Sequence, residues 1–142
     1  MNGFIMLKST HRILEQKRKY FESVIKKNKF SSRPEQIKKQ KMEQSLAGAQ
    51  LIAPYLRSYA FIEDYDISSE LVTFGCTITF KKGQEIKEIT ILGECDLKFN
   101  PKYRSKEGYV AYGSDESFKY VGKKRGQFIE GWKITLINRF QE

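Results

Sequence analysis

The chain has 142 residues, 39% of them hydrophobic, and it carries a formal net charge of +9. This length suits one or two small domains with a modest core, and no apolar run approaches the ~18 residues of a membrane-spanning helix. The first residues lack the basic leader and apolar stretch of a secretory signal, so we expect a cytoplasmic protein.

The excess positive charge lies entirely in the first part of the chain. Residues 1–60 hold 13 basic and 4 acidic residues, whereas residues 61–142 hold 13 of each. Such segregation predicts a polyanionic partner or an acidic protein channel, although a solvated helical surface is the simpler alternative. Cys76 and Cys95 lack metal-ligand spacing and are predicted to be reduced core residues, so we expect no metal site and no cofactor.

The first predicted element is a long helix. Residues 8–28 contain no Gly or Pro, and Leu7, Leu14 and Phe21 recur every seven residues with Val24 and Ile25 beside them. This pattern predicts an amphipathic helix of roughly 20 residues, about 30 Å long.

A second helix is predicted to begin near Arg33. Ser32 is a suitable N-cap, Pro34 suits a first helical turn, and Glu35 follows Ser32 by three residues, as in a capping box. The short connection makes the two helices antiparallel neighbours.

The second helix shows the 4-3 spacing of a coiled-coil seam. The seam residues are Met42, Leu46, Ala49, Ala53, Leu56 and Ala60. An intramolecular hairpin is favoured by the capped turn, while a globular helix pair and a self-associating coiled coil remain alternatives. Pro54 predicts a kink or an early helix end.

The remainder of the chain is predicted to be rich in β-structure because β-branched and aromatic residues dominate it. The expected strands are 71–74, 76–80, 87–92, 109–112, 128–130 and 132–138, with a turn at Gly131. Residues 114–120 suit a short helix and 100–108 a polar loop. The expected fold is α+β, with a helical hairpin over residues 1–62 and a second domain over residues 63–142.

Three segments of the second part resemble, in order, the C-terminal domain of the bacterial Gre transcription factors. They are Val-Thr-Phe-Gly-Cys-Thr-Ile at 72–78, Ile-Leu-Gly-Glu-Cys-Asp at 91–96, and Ser-Asp-Glu-Ser-Phe-Lys-Tyr-Val-Gly-Lys at 114–123. In the hairpin, Gly48 and the later Ala60, followed by Phe61 and Ile62, look like the end of the family's second helix.

This resemblance implies an FKBP-like domain with an antiparallel sheet and a short helix, which grips the rim of the RNA polymerase secondary channel. The docking residues implied are Ser114, Asp115, Glu116 and Gly122. The hairpin would then point down the channel. The expected partner is RNA polymerase, with nascent RNA or other nucleic-acid phosphates as further contacts, and no membrane. The expected protein is a monomer and not an enzyme.

The hairpin tip departs from the family pattern. Gre factors stimulate RNA cleavage through two acidic tip residues, because carboxylates help to hold a second Mg²⁺. Counted back from Gly48, those positions fall on Lys29 and Ser32. The tip residues are Asn28, Lys29, Phe30, Ser31, Ser32 and Arg33, none of which is acidic. Glu35 better suits a capping role, so the resemblance implies docking without efficient cleavage.

Basic residues crowd the distal half of the hairpin and are candidates for contact with RNA phosphates or acidic channel walls. They are Lys17, Arg18, Lys19, Lys26, Lys27, Lys38, Lys39 and Lys41. Phe30 suits either stacking on a base or capping the hairpin core, with neither reading favoured.

Three alternatives stay open. The first is a nucleic-acid binder that acts without polymerase, and the second is a short-armed Gre-like regulator such as the regulator of nucleoside diphosphate kinase. The third is a prolyl isomerase, but Trp132, Tyr109, Tyr112 and Tyr120 are predicted to be strand and core residues rather than pocket residues. The single histidine, His11, is predicted to be solvated, which leaves no catalytic triad.

Overall fold

The computed structural model describes residues 4–29, 32–104 and 106–142. Two long helices precede a five-stranded sheet, so the α+β class is confirmed. The helices are α1 (Lys8–Lys29), α2 (Glu35–Arg57) and α3 (Glu94–Phe99). The strands are β1 (Phe4–Met6), β2 (Tyr59–Phe61), β3 (Cys76–Lys82), β4 (Glu85–Leu92), β5 (Tyr109–Ala111), β6 (Phe128–Ile129) and β7 (Trp132–Arg139).

The helical hairpin forms as predicted, but its turn differs in detail. Helix α2 begins at Glu35, and Pro34 rather than Ser32 occupies the N-cap position without a side-chain cap. The backbone oxygen of Pro34 accepts hydrogen bonds from the N–H groups of Ile37 and Lys38 instead. The helix continues through Pro54 and ends at Arg57, so it does not end at the proline itself.

The predicted seam of α2 is wrong by a rotation of the helix. Leu46 is 52% exposed, whereas Ser45, Ile52 and Tyr55 are buried. Gly48 lies on the same face as these buried residues, and the Phe21 ring of α1 packs against it. A Cβ on Gly48 would lie 2.5 Å from that ring. The ring of Phe21 therefore fills the space that a larger residue would need.

The sheet has the strand order β5-β4-β3-β7-β6. Strands β3, β4, β6 and β7 pair antiparallel, but β4 and β5 pair parallel, so the sheet is mixed rather than antiparallel as expected. The cause is α3, which the sequence analysis missed. It carries the chain back so that β5 runs in the direction of β4.

Two other predictions, one of a strand and one of a helix, need correction. Residues 71–74 form no strand, because only Leu71 bridges to Lys124 and a turn follows at Phe74. The expected helix at 114–120 is reduced to one 3-10 turn at Ser117–Lys119. The terminal hairpin of β6 and β7 is confirmed, with Glu130 and Gly131 both at positive φ in its turn.

The main core is formed mainly by residues of the sheet, and two smaller hydrophobic clusters join the hairpin to the second part of the chain. The main core contains Val72, Cys76, Ile78, Phe80, Ile91, Val110, Tyr120, Ile134 and Ile137. The second contains Met6, Leu14, Ile52, Tyr55, Cys95 and Phe99, and the third Leu7, Ile62, Leu92 and Tyr103. Both smaller clusters draw on residues before and after position 62, and the domain boundary predicted there stays a prediction.

Candidate functional site

The distal half of the hairpin, defined here as the described residues from Lys26 to Gln44, is a surface rather than a core. Within it, Asn28 alone is buried. Two clefts run along the helix pair and are lined only by residues of α1, α2 and their turn. Helix α1 meets α2 along its length and α3 at its base. The described part of the distal half therefore extends beyond the rest of the molecule.

The arm, defined here as residues 16–42, carries most of the protein's excess positive charge. Residues 16–42 hold ten basic and two acidic residues. Among the described residues, five of the predicted contact lysines are exposed and form no ion pair, namely Lys19, Lys26, Lys27, Lys39 and Lys41. Their charge is neutralised by no neighbouring carboxylate, so they present a positive field to solvent.

The remaining predicted contact residues are placed differently. Arg18 pairs with Glu15 at 2.6 Å, and Lys38 lies 3.7 Å from Glu35. Lys17 lies at the base of the arm, where its Nζ is 5.5 Å from the centroid of the Phe99 ring of α3. These three cations already have partners and are weaker candidates for an external contact.

At the tip, the structure describes Asn28, Lys29, Ser32 and Arg33, while Phe30 and Ser31 lie outside the described residues. The Nδ2 group of Asn28 donates to the backbone oxygen of Val24 at 2.8 Å. Its buried Oδ1 has no hydrogen-bond donor among the described residues. The Glu35 side chain is 92% exposed beside Lys38, which does not match the capping role predicted for it.

The base of α1 is anchored by one buried carboxylate, that of Asp96, which ends the Gre-like segment 91–96. The Oδ1 atom of Asp96 accepts from the backbone N–H of Leu7 at 2.9 Å and from the Thr10 hydroxyl, and its Oδ2 accepts from the N–H of Gly93 at 3.0 Å. Asn100 donates to the Thr10 Oγ1 at 3.0 Å. Negative charge at a helix N-terminus is favourable, but burial raises the pKa of Asp96 to about 6.

The predicted docking residues occupy two neighbouring turns. Asp115 and Glu116 are exposed, while the Ser114 hydroxyl donates to the backbone oxygen of Ala111 at 2.6 Å. Gly122 adopts a φ of +87° and donates its N–H to the backbone oxygen of Val72 at 2.9 Å. The segments 72–78 and 114–123, which the resemblance linked by order alone, are thus hydrogen-bonded to each other.

Several aromatic and sulfur predictions can also be placed. Tyr120 is buried as expected, but Tyr112 is 41% exposed beyond the end of β5. His11 is less solvated than predicted, because its ring packs at a tilt of 35° against that of Tyr59, with centroids 4.3 Å apart. Both cysteines are buried, and burial raises the pKa of Cys95 to about 12, so that thiol is inert.

Among the described residues, no helix is long and apolar enough to cross a bilayer. The same residues contain no group of three or more acidic, histidine or cysteine side chains arranged to hold a metal ion.

No protein-family model matches the sequence, and no curated protein matches it. Three solved structures are similar at low identity. The GreA factor homolog 1 (Gfh1) protein of Thermus thermophilus is 12% identical, with 96% of this chain and 99% of that chain covered and a TM-score of 0.36. A structure of the transcription factor Gfh1 is 11% identical, with 96% and 97% covered and a TM-score of 0.34.

The third is Gfh1 of Thermus aquaticus, 13% identical, with 99% of this chain and 98% of that chain covered and a TM-score of 0.33. TM-scores of this size establish neither a family nor a function. The α+β layout is therefore taken from the helices and strands of this chain itself.

Proposed function

We propose that this protein is a Gre-like transcription factor that binds RNA polymerase, places its basic hairpin in the secondary channel and modulates elongation without efficient transcript cleavage. The observation that supports this most directly is the arm. It extends from the rest of the molecule, carries ten basic residues against two acidic ones over residues 16–42, and lacks a carboxylate from 28 to 34.

The order of the Gre-like segments gives further support. Residues 72–78 and 114–123 contact each other through Val72, whose N–H donates to Lys123 and whose oxygen accepts from Gly122. The turn with Asp115 and Glu116 has hydrogen bonds of its own, including that from the Ser114 hydroxyl to the backbone oxygen of Ala111 at 2.6 Å. The proposed docking surface is therefore preorganised, which lowers the entropic cost of binding.

The charge of the arm suggests how it acts in the channel. Five exposed lysines without an ion pair among the described residues would contact RNA phosphates or acidic channel walls, and such contacts weaken steeply with salt. At the tip, Lys29 and Arg33 would repel Mg²⁺ rather than hold it. The proposed role therefore requires no catalysis by this chain.

Co-purification with core RNA polymerase tests the partner. The full chain should be retained, and a variant with Lys26, Lys27, Lys39 and Lys41 changed to Gln should be retained less, with a weaker salt dependence. The matched control changes four exposed lysines outside the arm and outside the proposed docking residues, Lys81, Lys106, Lys124 and Lys133, to Gln. Equal loss in both variants would show that net charge alone matters, and no retention of the unaltered chain would refute polymerase binding.

Backtracked elongation complexes test the cleavage claim. Addition of the protein should alter elongation but shorten the transcript no faster than polymerase alone. Rapid Mg²⁺-dependent shortening would show that the tip assignment is wrong. Binding of RNA or DNA in the absence of polymerase, with the same affinity as in its presence, would favour the nucleic-acid-binding alternative, and turnover of a proline-containing model peptide would favour the isomerase.

A further inference from the structure

A cleft with aromatic walls lies where β1, the start of α3 and the ends of two loops meet, away from the distal arm. Its volume is about 460 Å³. The residues that line it most informatively are Phe4, Tyr65, Phe74, Glu94 and Tyr112. No local sequence pattern predicts this cleft, because these residues come from five separate segments.

The aromatic rings of this cleft are arranged as adjoining walls. Tyr65 and Phe74 meet edge to face, with ring centroids 4.6 Å apart and planes at 88°. Phe74 and Tyr112 meet in the same way at 5.2 Å and 74°. Rings at right angles turn their faces in different directions, and the face of an aromatic ring attracts a cation through its quadrupole.

A carboxylate completes the lining. Glu94 is exposed in the first turn of α3 and lines the same cleft as the three rings. The combination of ring faces with one carboxylate is the chemistry that recognises an organic cation, because the carboxylate supplies charge and the rings supply a weakly hydrated surface.

The chain segments that supply four of the cleft residues are acidic, although the protein as a whole is basic. Residues 58–80, 88–97 and 108–118, which supply Tyr65, Phe74, Glu94 and Tyr112, contain nine acidic residues and no lysine or arginine. Cations do contact these segments, namely Arg125 at Glu70, Lys8 at the Phe61 ring and Lys87 at the Phe80 ring, but none of them lines the cleft. Arg139 is a fourth. It donates to the backbone oxygens of Glu63 and Tyr65 and does not line the cleft.

We propose that this cleft is a recognition site for a lysine or arginine side chain presented by a partner protein. Arginine suits it best, because a guanidinium group both stacks on aromatic faces and forms a paired hydrogen bond with a carboxylate. The site goes beyond the proposed function, since it requires neither the basic arm nor RNA polymerase as the partner.

The test is an NMR titration of the isotopically labelled full chain at constant ionic strength. The probes are N-acetyl-arginine amide, N-acetyl-lysine amide and the neutral isostere N-acetyl-citrulline amide. Both cationic probes should shift resonances of Tyr65, Phe74, Glu94 and Tyr112, with the citrulline probe at least about fivefold weaker. Absence of saturable shifts at these residues, or equal binding of citrulline, would overturn the proposal, the latter in favour of a merely apolar cleft.

Two variants sharpen the result. Glu94→Gln should weaken the arginine probe at least about threefold and leave the citrulline probe unchanged, and Tyr112→Leu should weaken both cations. The controls are Glu107→Gln, an exposed acid elsewhere, and Tyr20→Leu, an exposed tyrosine of the arm, and both should leave binding unchanged. Equal weakening by Glu107→Gln would show that the probes sense net charge only. Loss of polymerase retention through the lysine variants leaves this titration unaffected, so the two proposals fail separately.

Discussion

The distal and proximal halves of the same helical hairpin differ in what holds them. At the base, Leu14 and Ile52 are at most 2% exposed and pack with Cys95 and Phe99 of α3. In the distal half, Ile37 is 43% exposed and Asn28 alone is buried among the described residues from 26 to 44, and just beyond it Leu46 is 52% exposed. One continuous pair of helices thus serves as core at one end and as surface at the other.

This difference predicts where the sequence can change without loss of the fold. Substitutions at the base should act on stability, since buried apolar area supplies most of the folding free energy. Substitutions in the distal half should act on binding. The following variants test that division, in order of decreasing expected effect.

The largest effect is expected where β1 passes over the start of α3. A Cβ on Gly93 would lie 1.7 Å from the backbone oxygen of Ile5, although the φ of Gly93 is an ordinary −70°. Gly93→Ala should therefore lower the free energy of unfolding by about 3 kcal/mol or more, through crowding alone. Urea denaturation followed by circular dichroism measures the change.

The control for Gly93 is Gly83, which has a φ of +63° and no neighbouring atom within 4 Å of an added Cβ. Gly83→Ala should cost only about 1 kcal/mol, from the left-handed backbone conformation. Similar losses in the two variants would mean that close packing of β1 on Gly93 does not hold the base of the arm.

The second test compares two apolar residues six positions apart on α2. Ile52→Ala creates a cavity beside Leu14 and Tyr55 and should cost about 3 kcal/mol. Leu46→Ala removes a half-exposed side chain and should cost less than about 1 kcal/mol. If the Leu46 variant proved the more damaging, the coiled-coil seam predicted from the sequence would be right and the packing described above wrong.

The third test uses pH at the Asp96 anchor. Burial raises the pKa of Asp96 from 3.8 to about 6. Hydrogen bonds from Thr10, Leu7 and Gly93 oppose this rise, and the negative charge of Glu142 adds to it. Between these two pKa values the folded state keeps a proton on Asp96 that the unfolded state has released. The contribution of this proton to the free energy of unfolding is therefore fully present below the pKa of the unfolded state. It is lost as the pH rises through about 6.

Between about pH 4.5 and about pH 7, the free energy of unfolding should fall by about 2 kcal/mol on account of this group. Denaturant titrations across that range measure it, and Asp96→Asn should flatten the profile while lowering stability throughout, because an amide N–H would face a backbone N–H. A profile of the Asn variant parallel to that of the unaltered protein would assign the pH dependence to other carboxylates.

The smallest effect on stability is expected in the distal half. Changing Lys26, Lys27, Lys39 and Lys41 to Gln removes exposed charges that have no ion pair among the described residues. The free energy of unfolding should change by less than about 1 kcal/mol, since surface charges contribute little. Thermal denaturation of this variant beside the unaltered chain measures the change, and a loss comparable to that of Ile52→Ala would contradict the division between the two halves.

Local sequence patterns were sufficient for the elements that depend on neighbouring residues. The run without Gly or Pro predicted α1 within one residue, and alternating β-branched residues predicted β3 and β4. The turn at Gly131 was found because positive φ favours glycine there. The charge division between the two parts of the chain also follows directly from the sequence.

Other features depend on contacts between distant residues, and local patterns did not predict them. Leu7 and Asp96 are 89 residues apart, yet their hydrogen bond anchors α1. The parallel pairing of β1 with β2 requires the whole hairpin as its crossover, and both strands are only three residues long.

Local residue patterns alone predict the helical hairpin, most strands of the sheet and the basic arm without an acidic tip. Which face of α2 is buried depends on packing between the helices, because Gly48 admits the Phe21 ring and Leu46 is turned outward. The tertiary structure also decides the aromatic cleft, whose walls are brought together by the sheet from segments that no periodic pattern connects. Hydrophobic periodicity describes one helix or strand at a time, whereas packing depends on contacts between several elements.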